Sequence, residues 1–505
     1  MDSQAVCRRL RALVLTGSLL AAAAATEGGT IHYCDTFQEI FEATYTAEPG
    51  DEIVIAPGEY HVVTPLHVTA SNLTFRGETG NRDDVVLHGN GMNTDSGVTY
   101  GIRVAADGVR LHDLTIRDFW GNGILIGDTS SYANDLIISN VKTLDCGRRH
   151  VMGYADSRVS YGVLIENLWM EQTQEYIQGP GGHPVNNVGG IEATNIHEWT
   201  IRDCVAKNIR DAEGTGQAAF LLWNGVSDLL LERNVVVRCG HGIAIGNYPP
   251  PDSHSHTLPW HAVEGIVRNN IILRRGESAD DRAMELDYTM DFEVFNNTVY
   301  SEDASHLWTL RILDDWTRPG QTTNLVLVNN IIRGGILDQS TGDWSPWVVA
   351  DYWGNIVDFV TPVLPEWFLD PAGGELHLTR LATALIDQAQ PLWEVPDDID
   401  GGPRPAGAGY DYGADEFASP MGDANYDGCV DGLDYNNWSL HYLQAGGWPE
   451  GDFNSDGEVD GLDYNLWSLH YLEGCGAGVP EPAALTLLAL GGLALIRRRA
   501  ATVKP

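Results

Sequence analysis

The chain has 505 residues and a formal net charge of −40, with 70 acidic against 30 basic residues and only three lysines, Lys142, Lys207 and Lys504. Phosphate binding needs a basic face, so this balance excludes nucleic acid as a partner. An acidic, tryptophan-rich, lysine-poor chain suits an extracellular setting containing calcium.

The first 25 residues read as a secretory signal: Arg8, Arg9 and Arg11 precede the apolar run Leu13–Leu20 and the small-residue zone Ala21–Ala25. Export removes Cys7 and leaves six cysteines, an even number compatible with disulfides in an oxidising compartment. No CxxC or His/Cys spacing suggests zinc.

From about 50 to 360 one phrase recurs: apolar-x-apolar-x-Asn/Asp-x-apolar. Examples are Leu114-Thr-Ile116-Arg-Asp118, Val163-Leu-Ile165-Glu-Asn167-Leu168, Phe292-Glu-Val294-Phe-Asn296-Asn297 and Leu325-Val-Leu327-Val-Asn329-Asn330. Between 140 and 330 successive Asn/Asp positions lie 27 to 36 residues apart. A period of that size signals stacked units that bury their apolar faces only against one another. The segments are short, β-branched and alternating, and Gly, Asn and Asp separate them, so each repeat holds several strands. The repeated Asn-Asn pair is expected to form a structural ladder by hydrogen bonding from turn to turn.

This pattern resembles the right-handed parallel β-helix of the pectate-lyase-like superfamily, an all-β solenoid, and the body is assigned to 26–418. The resemblance includes Phe37-Gln-Glu-Ile40 as an opening cap helix. It also takes in the closing segments Asp398-Ile-Asp400-Gly-Gly-Pro403-Arg404 and Asp411-Tyr-Gly413-Ala-Asp415-Glu416-Phe417. What it implies is polysaccharide processing, although one fold hosts many chemistries.

A second strand set follows the ladder turns, in Gly190-Ile-Glu192-Ala-Thr194, Phe220-Leu-Leu-Trp223, Gly242-Ile-Ala244-Ile, Met284-Glu285-Leu-Asp287 and Leu310-Arg311-Ile-Leu. Strand side chains alternate faces, so aligning the inward apolar residues puts Leu125, Glu192, Leu221, Ala244, Glu285 and Arg311 in one outward column. Thr194, Trp223 and Asp287 fall in the next. Glu285 and Asp287 are candidate paired carboxylates of a hydrolase, and Arg311 is a candidate cation for a uronate or a developing charge. Trp223 and Glu192 are candidate sugar contacts. The alternative is an ordinary surface ion pair of Glu285 with Arg311, with Asp287 in solvent.

The insertion from Asn247 to His261 adds His254, His256 and His261, where binding groups on loops commonly sit. Asp211 with Glu213 forms a second carboxylate pair, and Arg148-Arg149-His150 is the most basic cluster of the body. Both available lysines lie in ladder segments, so lysine-based elimination is disfavoured and a glycoside hydrolase is expected ahead of a polysaccharide lyase. A non-catalytic glycan-binding or spacing protein of the cell surface is the competing reading.

Near the C-terminus a calcium-loop pattern occurs twice, as Asp423, Asn425, Asp427, Asp431 and Asp434, and as Asp452, Asn454, Asp456, Asp460 and Asp463. These are loop positions 1, 3, 5, 9 and 12. The backbone carbonyls of Cys429 and Glu458 stand at position 7 and glycine at position 6. Two calcium ions are therefore expected. Each loop leads into Tyr-Asn-x-Trp-Ser-Leu-His-Tyr-Leu, and the duplicated loop-helix over 419–475 resembles a dockerin module. That resemblance implies a cohesin-like partner, and Cys429 with Cys475 offers a disulfide across the module's ends. The final stretch, 476–505, has Val-Pro-Glu-Pro from Val479, an apolar run Ala483–Ile496 and Arg497-Arg498-Arg499. It resembles a PEP-CTERM sorting tail, implying a transient membrane anchor removed by a sorting peptidase at a bacterial envelope.

Overall fold

The computed structural model describes residues 29–473 except 95–96, 128–132, 154–157, 178–187, 212–215, 248–259, 275–281, 304–308, 314–321, 339–353, 359, 419, 426–428 and 455. The segments read as a signal (1–25) and a sorting tail (476–505), with His254, His256, Glu213, Asp427 and Cys475, therefore lie outside the described residues.

The body is a parallel β-helix. Its chain winds through three strand faces per turn, and every strand pairs in parallel with the equivalent strand one turn on. The first face shows why the sequence folds this way. One inward row runs Ile53, Phe75, Leu111, Ile138, Ile165, Ile201, Leu231, Val267, Val294 and Leu327 in unbroken register. None of the ten is more than 3% exposed. No turn could bury this row alone, so the stack itself supplies the core.

Corners repeat the same chemistry. In Asn269-Asn270, Asn296-Asn297 and Asn329-Asn330 the first residue adopts the left-handed region, at φ 54°, 50° and 62°. Asparagine tolerates that region better than β-branched residues. The second residue points inward and stacks. Asn234 Nδ2 donates to Asn270 Oδ1 (3.0 Å), and the chain continues through Asn297 (2.9 Å), Asn330 (2.9 Å) and Asn355 (2.8 Å). The pair thus divides its work: one amide turns the chain while its neighbour satisfies the buried corner.

Helix α1, Phe37–Thr46, closes the N-terminal turn with Ile40 and Ala43 buried, and its capping box joins Thr36 to Glu39. The second face is covered by an outer layer, residues 363–417. Val363, Trp367, Phe368, Leu376 and Leu378 pack onto Val237, Ile271, Leu273, Tyr300 and Ile331 of the second face. Polar ties reinforce it: Arg233 meets Asp397 at 2.6 Å, and Asn296 Nδ2 donates to the Asp411 carbonyl at 3.1 Å.

The even cysteine count does not translate into a disulfide framework in the body. Cys34, Cys146, Cys204 and Cys239 are free and buried. They occupy separate turns of the coil and pack as small apolar side chains. Cys429 is disulfide-bonded. No helix among the described residues is long and apolar enough to cross a membrane.

Helices α2, Gly432–His441, and α3, Gly461–Leu469, follow the two acidic loops. Trp438 Nε1 donates to the Asp460 carbonyl (2.8 Å) and Trp467 Nε1 to the Asp431 carbonyl (3.0 Å), so each helix is pinned to the other repeat's loop.

Candidate functional site

The third face carries the outward column. Its register reads Arg103, Leu125, Met152, Glu192, Leu221, Ala244, Glu285, Arg311 and Leu337. The alignment matches the sequence expectation except for Met152, which supplies a turn between Leu125 and Glu192. Trp223 pairs with Thr194, and one turn further the position belongs to Gly246. A Cβ on Gly246 would lie 1.8 Å from the Asp287 carbonyl oxygen, so no side chain can stand between Trp223 and Asp287.

Exposure departs from expectation. The column does not line an open groove: Glu192 is 7% exposed, Glu285 5%, Arg311 9% and Asp287 0%. The alternative holds in part: Glu285 and Arg311 do form an ion pair, but it is buried and Asp287 is not in solvent. The charged members of the column pair with one another. Arg311 Nη2 donates to Glu285 Oε2 at 2.7 Å and to Asp287 Oδ2 at 2.6 Å. Arg282 Nη1 reaches Glu285 Oε1 at 2.9 Å, and His241 Nδ1 lies 3.1 Å from the same oxygen. Burial alone would push the Glu285 carboxyl up, but His241, Arg311 and Arg282 outweigh it and hold the group at about 2. Glu285 is thus a fixed anion. A hydrolase pair needs one carboxyl that keeps a proton near neutral pH, and two carboxylates sharing one guanidinium nitrogen are poorly arranged for that.

A second cluster lies three turns back in the same face. Arg149 Nε donates to Glu192 Oε2, and Trp223 Nε1 donates to Glu192 Oε1 at 3.2 Å. Trp223 is half-buried on a small apolar patch of Ala218, Leu221 and Ala244. Its ring leans on His261, 5.8 Å between centroids, and His261 meets Tyr288 edge-on at 5.8 Å. His261 is 1% exposed, so it is packed into the face and not displayed at a loop edge.

The remaining candidates disperse. Arg148-Arg149-His150 is no single basic patch, because Arg149 turns to Glu192 while His150 is buried against Thr143 Oγ1 at 2.8 Å. Asp211 is 4% exposed and bridges to Tyr176. His241 and Arg282 were missed by sequence reasoning. His241 precedes the Gly242-Ile-Ala244 strand signal, and only the three-dimensional pairing shows that both reach Glu285.

In the second acidic loop, Asp452 (3% exposed) accepts the backbone N–H groups of Asp456 (3.1 Å) and Gly457 (2.8 Å). Asp463 (0% exposed) accepts those of Phe453 (2.8 Å), Asn454 (3.1 Å) and Asp460 (2.8 Å). Asp423 and Asp434 are buried at the equivalent positions of the first loop. Buried, oxygen-rich and turned at Gly457 (φ 88°), this loop fits a hard cation. Its carboxylates stand further apart than a closed ligand shell: among the described residues the group of three His, Cys, Asp or Glu ligand atoms within 4.8 Å lies elsewhere.

No family model matches the chain, and no curated protein matches it. Among solved structures it is similar to the pectate lyase Pel9A, at 11% identity and a TM-score of 0.46 over 78% of this chain and 97% of that one. An endo-xylogalacturonan hydrolase from Aspergillus tubingensis matches at 13% identity and a TM-score of 0.37, over 61% and 91%. An alginate lyase from Paenibacillus sp. str. FPU-7 matches at 14% and 0.29, over 61% and 99%. Likeness at this level adds nothing to the architecture, which rests on the strand register itself.

Proposed function

We propose that this is a secreted polysaccharide-processing protein that cleaves glycosidic bonds of an extracellular, uronate-containing polymer at the third face. The observation that carries the reading is the contact of His241 with Glu285 between two guanidiniums. Glu285, fixed as an anion, orients the imidazole through Nδ1 and leaves Nε2 as the group that moves a proton. Arg311 holds Glu285 and Asp287 in place, and Trp223 beside Glu192 offers a sugar-stacking face. The paired-carboxylate assignment of Glu285 and Asp287 is thereby replaced by an imidazole oriented by a carboxylate.

A panel of acidic and neutral polysaccharides tests it, with reducing ends and unsaturated-uronate absorbance followed together. Product from wild type and at least a hundredfold loss in His241→Ala is expected. Reducing ends without the absorbance identify hydrolysis; both together identify elimination. Wild-type turnover by His241→Ala overturns the site.

The saturation of Glu285 and Asp287 by Arg311 favours a second reading, a non-catalytic glycan-binding surface protein. It expects no product from any polymer, and retarded migration in polysaccharide gels that Trp223→Ala weakens.

The rest of the molecule is read as its means of attachment. Two calcium ions in the acidic loops order the 419–475 module, which docks a cohesin-like domain. The sorting tail passes the exported chain to a peptidase at the envelope. Calcium titration of the full chain is expected to reveal two sites, one of them lost in Asp463→Ala, because ion binding at sites the unfolded chain lacks becomes folding free energy. Absence of calcium-dependent heat rejects the module's assignment.

A further inference from the structure

In the outer layer, away from the third face, one imidazole stands among four carboxylates. His377 lies on the strand Glu375–Leu378. Its Nδ1 contacts Glu375 Oε1, while its Nε2 is buried and 3.1 Å from Asp400 Oδ2, out of line for a hydrogen bond. Asp415 is 6% exposed and its Oδ2 accepts the Leu378 N–H at 2.6 Å. Its other oxygen has no donor among the described residues. Ligand atoms of His377, Asp400 and Asp415 all lie within 4.8 Å of one another.

The surroundings keep that arrangement in place. Asp398 Oδ1 accepts the N–H groups of Asp400 (3.0 Å) and Gly402 (2.7 Å), which fixes the turn carrying Asp400. Glu375 on Nδ1 is the kind of partner that metal-bound histidines have: a carboxylate takes one ring nitrogen and orients the other toward the ion. A buried imidazole nitrogen without a hydrogen-bond partner, as His377 Nε2 is, is costly unless something meets it.

We propose that His377, Asp400 and Asp415 bind a divalent cation of the zinc class. The imidazole nitrogen in the donor set favours such an ion over calcium, which takes oxygen ligands. Three protein ligands leave a fourth position for water. The ion joins the strand at 377, the turn at 400 and the final segment at 415, and so clasps the outer layer on itself. It is independent of the polysaccharide reading and of the calcium loops.

A proton on Nε2 would pair with the same carboxylates, so metal content decides. Full-length protein incubated with Zn2+ and desalted is analysed by elemental mass spectrometry, and its thermal unfolding is followed with and without added Zn2+. About one equivalent of zinc and a raised midpoint are expected. His377→Gln and Asp400→Asn should each remove both effects, and Glu375→Gln should weaken binding roughly tenfold to a hundredfold. Cobalt-loaded wild type should absorb in the visible, a readout that needs no variant. Sub-stoichiometric metal with an unmoved midpoint overturns the proposal, as does zinc retained undiminished in both ligand variants.

Discussion

Glu285 meets one imidazole and two guanidiniums, and its substitution becomes a test of packing as much as chemistry. Glu285→Gln leaves Arg311 and Arg282 short of a buried counter-charge, so it is expected to destabilise the chain by about 3 kcal/mol or more. Chemical unfolding measures this; a change under about 1 kcal/mol would return Glu285 to the solvent-exposed role that alternation alone suggested. The outward column was legible because strand side chains alternate with period two, a property every residue of the row carries locally. Met152 was missed although Val151-Met152-Gly153 pairs in register with both neighbouring turns. The burial of Glu285 was not legible either, since it depends on His241 and Arg282 arriving from other parts of the chain. His150 supplies a pH test. Burial pushes its ring down to about 4, against a lift from Asp145 and the Thr143 contact. Below its ordinary 6.5, the unfolded chain takes a proton that the folded chain refuses until about 4. The stability owed to the neutral ring is therefore complete above 6.5 and lost as pH falls towards 4. The gap between wild type and His150→Gln should be constant above pH about 7 and change steadily below about 6.5; parallel curves would show that the ring is not held neutral.

At the scale of elements, the coil's stability is distributed over corners that each close only with their neighbours. Asn297 Nδ2 donates to the Val267 and Phe295 carbonyls and to Asn330, while its Oδ1 accepts both the N–H and the Nδ2 of Asn270. Asn297→Ala strands several of these buried groups at once, for an expected cost of roughly 3 kcal/mol or more. A loss below 1 kcal/mol by denaturant titration would mean that water replaces the amide. This ladder was readable from sequence, because a repeated Asn-Asn at turn spacing has a physical reason for each member. The outer layer over 363–417 was not, beyond the resemblance of its last segment, since its apolar residues follow no period and find their partners on distant turns, as Phe368 does on Tyr300.

At the scale of the molecule, the chain relies on stacking and not on covalent cross-links in its body. Burial pushes the thiol of Cys34 up to about 11 and those of Cys204 and Cys239 to about 12, and raises Cys146 as well. A thiol is reactive as thiolate, so all four should resist alkylation in the native protein and label together on unfolding. Mass mapping after iodoacetamide checks this, and native labelling of any of the four would reveal an opening of its turn.

Arg233 reaches Asp397 and Arg238 reaches the Ala372 carbonyl, separations of 164 and 134 residues. A chain synthesised from its N-terminus thus completes the middle turns long before their cover exists. Until residues 363–417 have emerged, Val237, Ile271, Tyr300 and Ile331 form a bare apolar strip on an otherwise finished coil. A chain that stalls before that point presents this strip to its neighbours, which makes the last segment of the body the one whose timing guards the product against self-association.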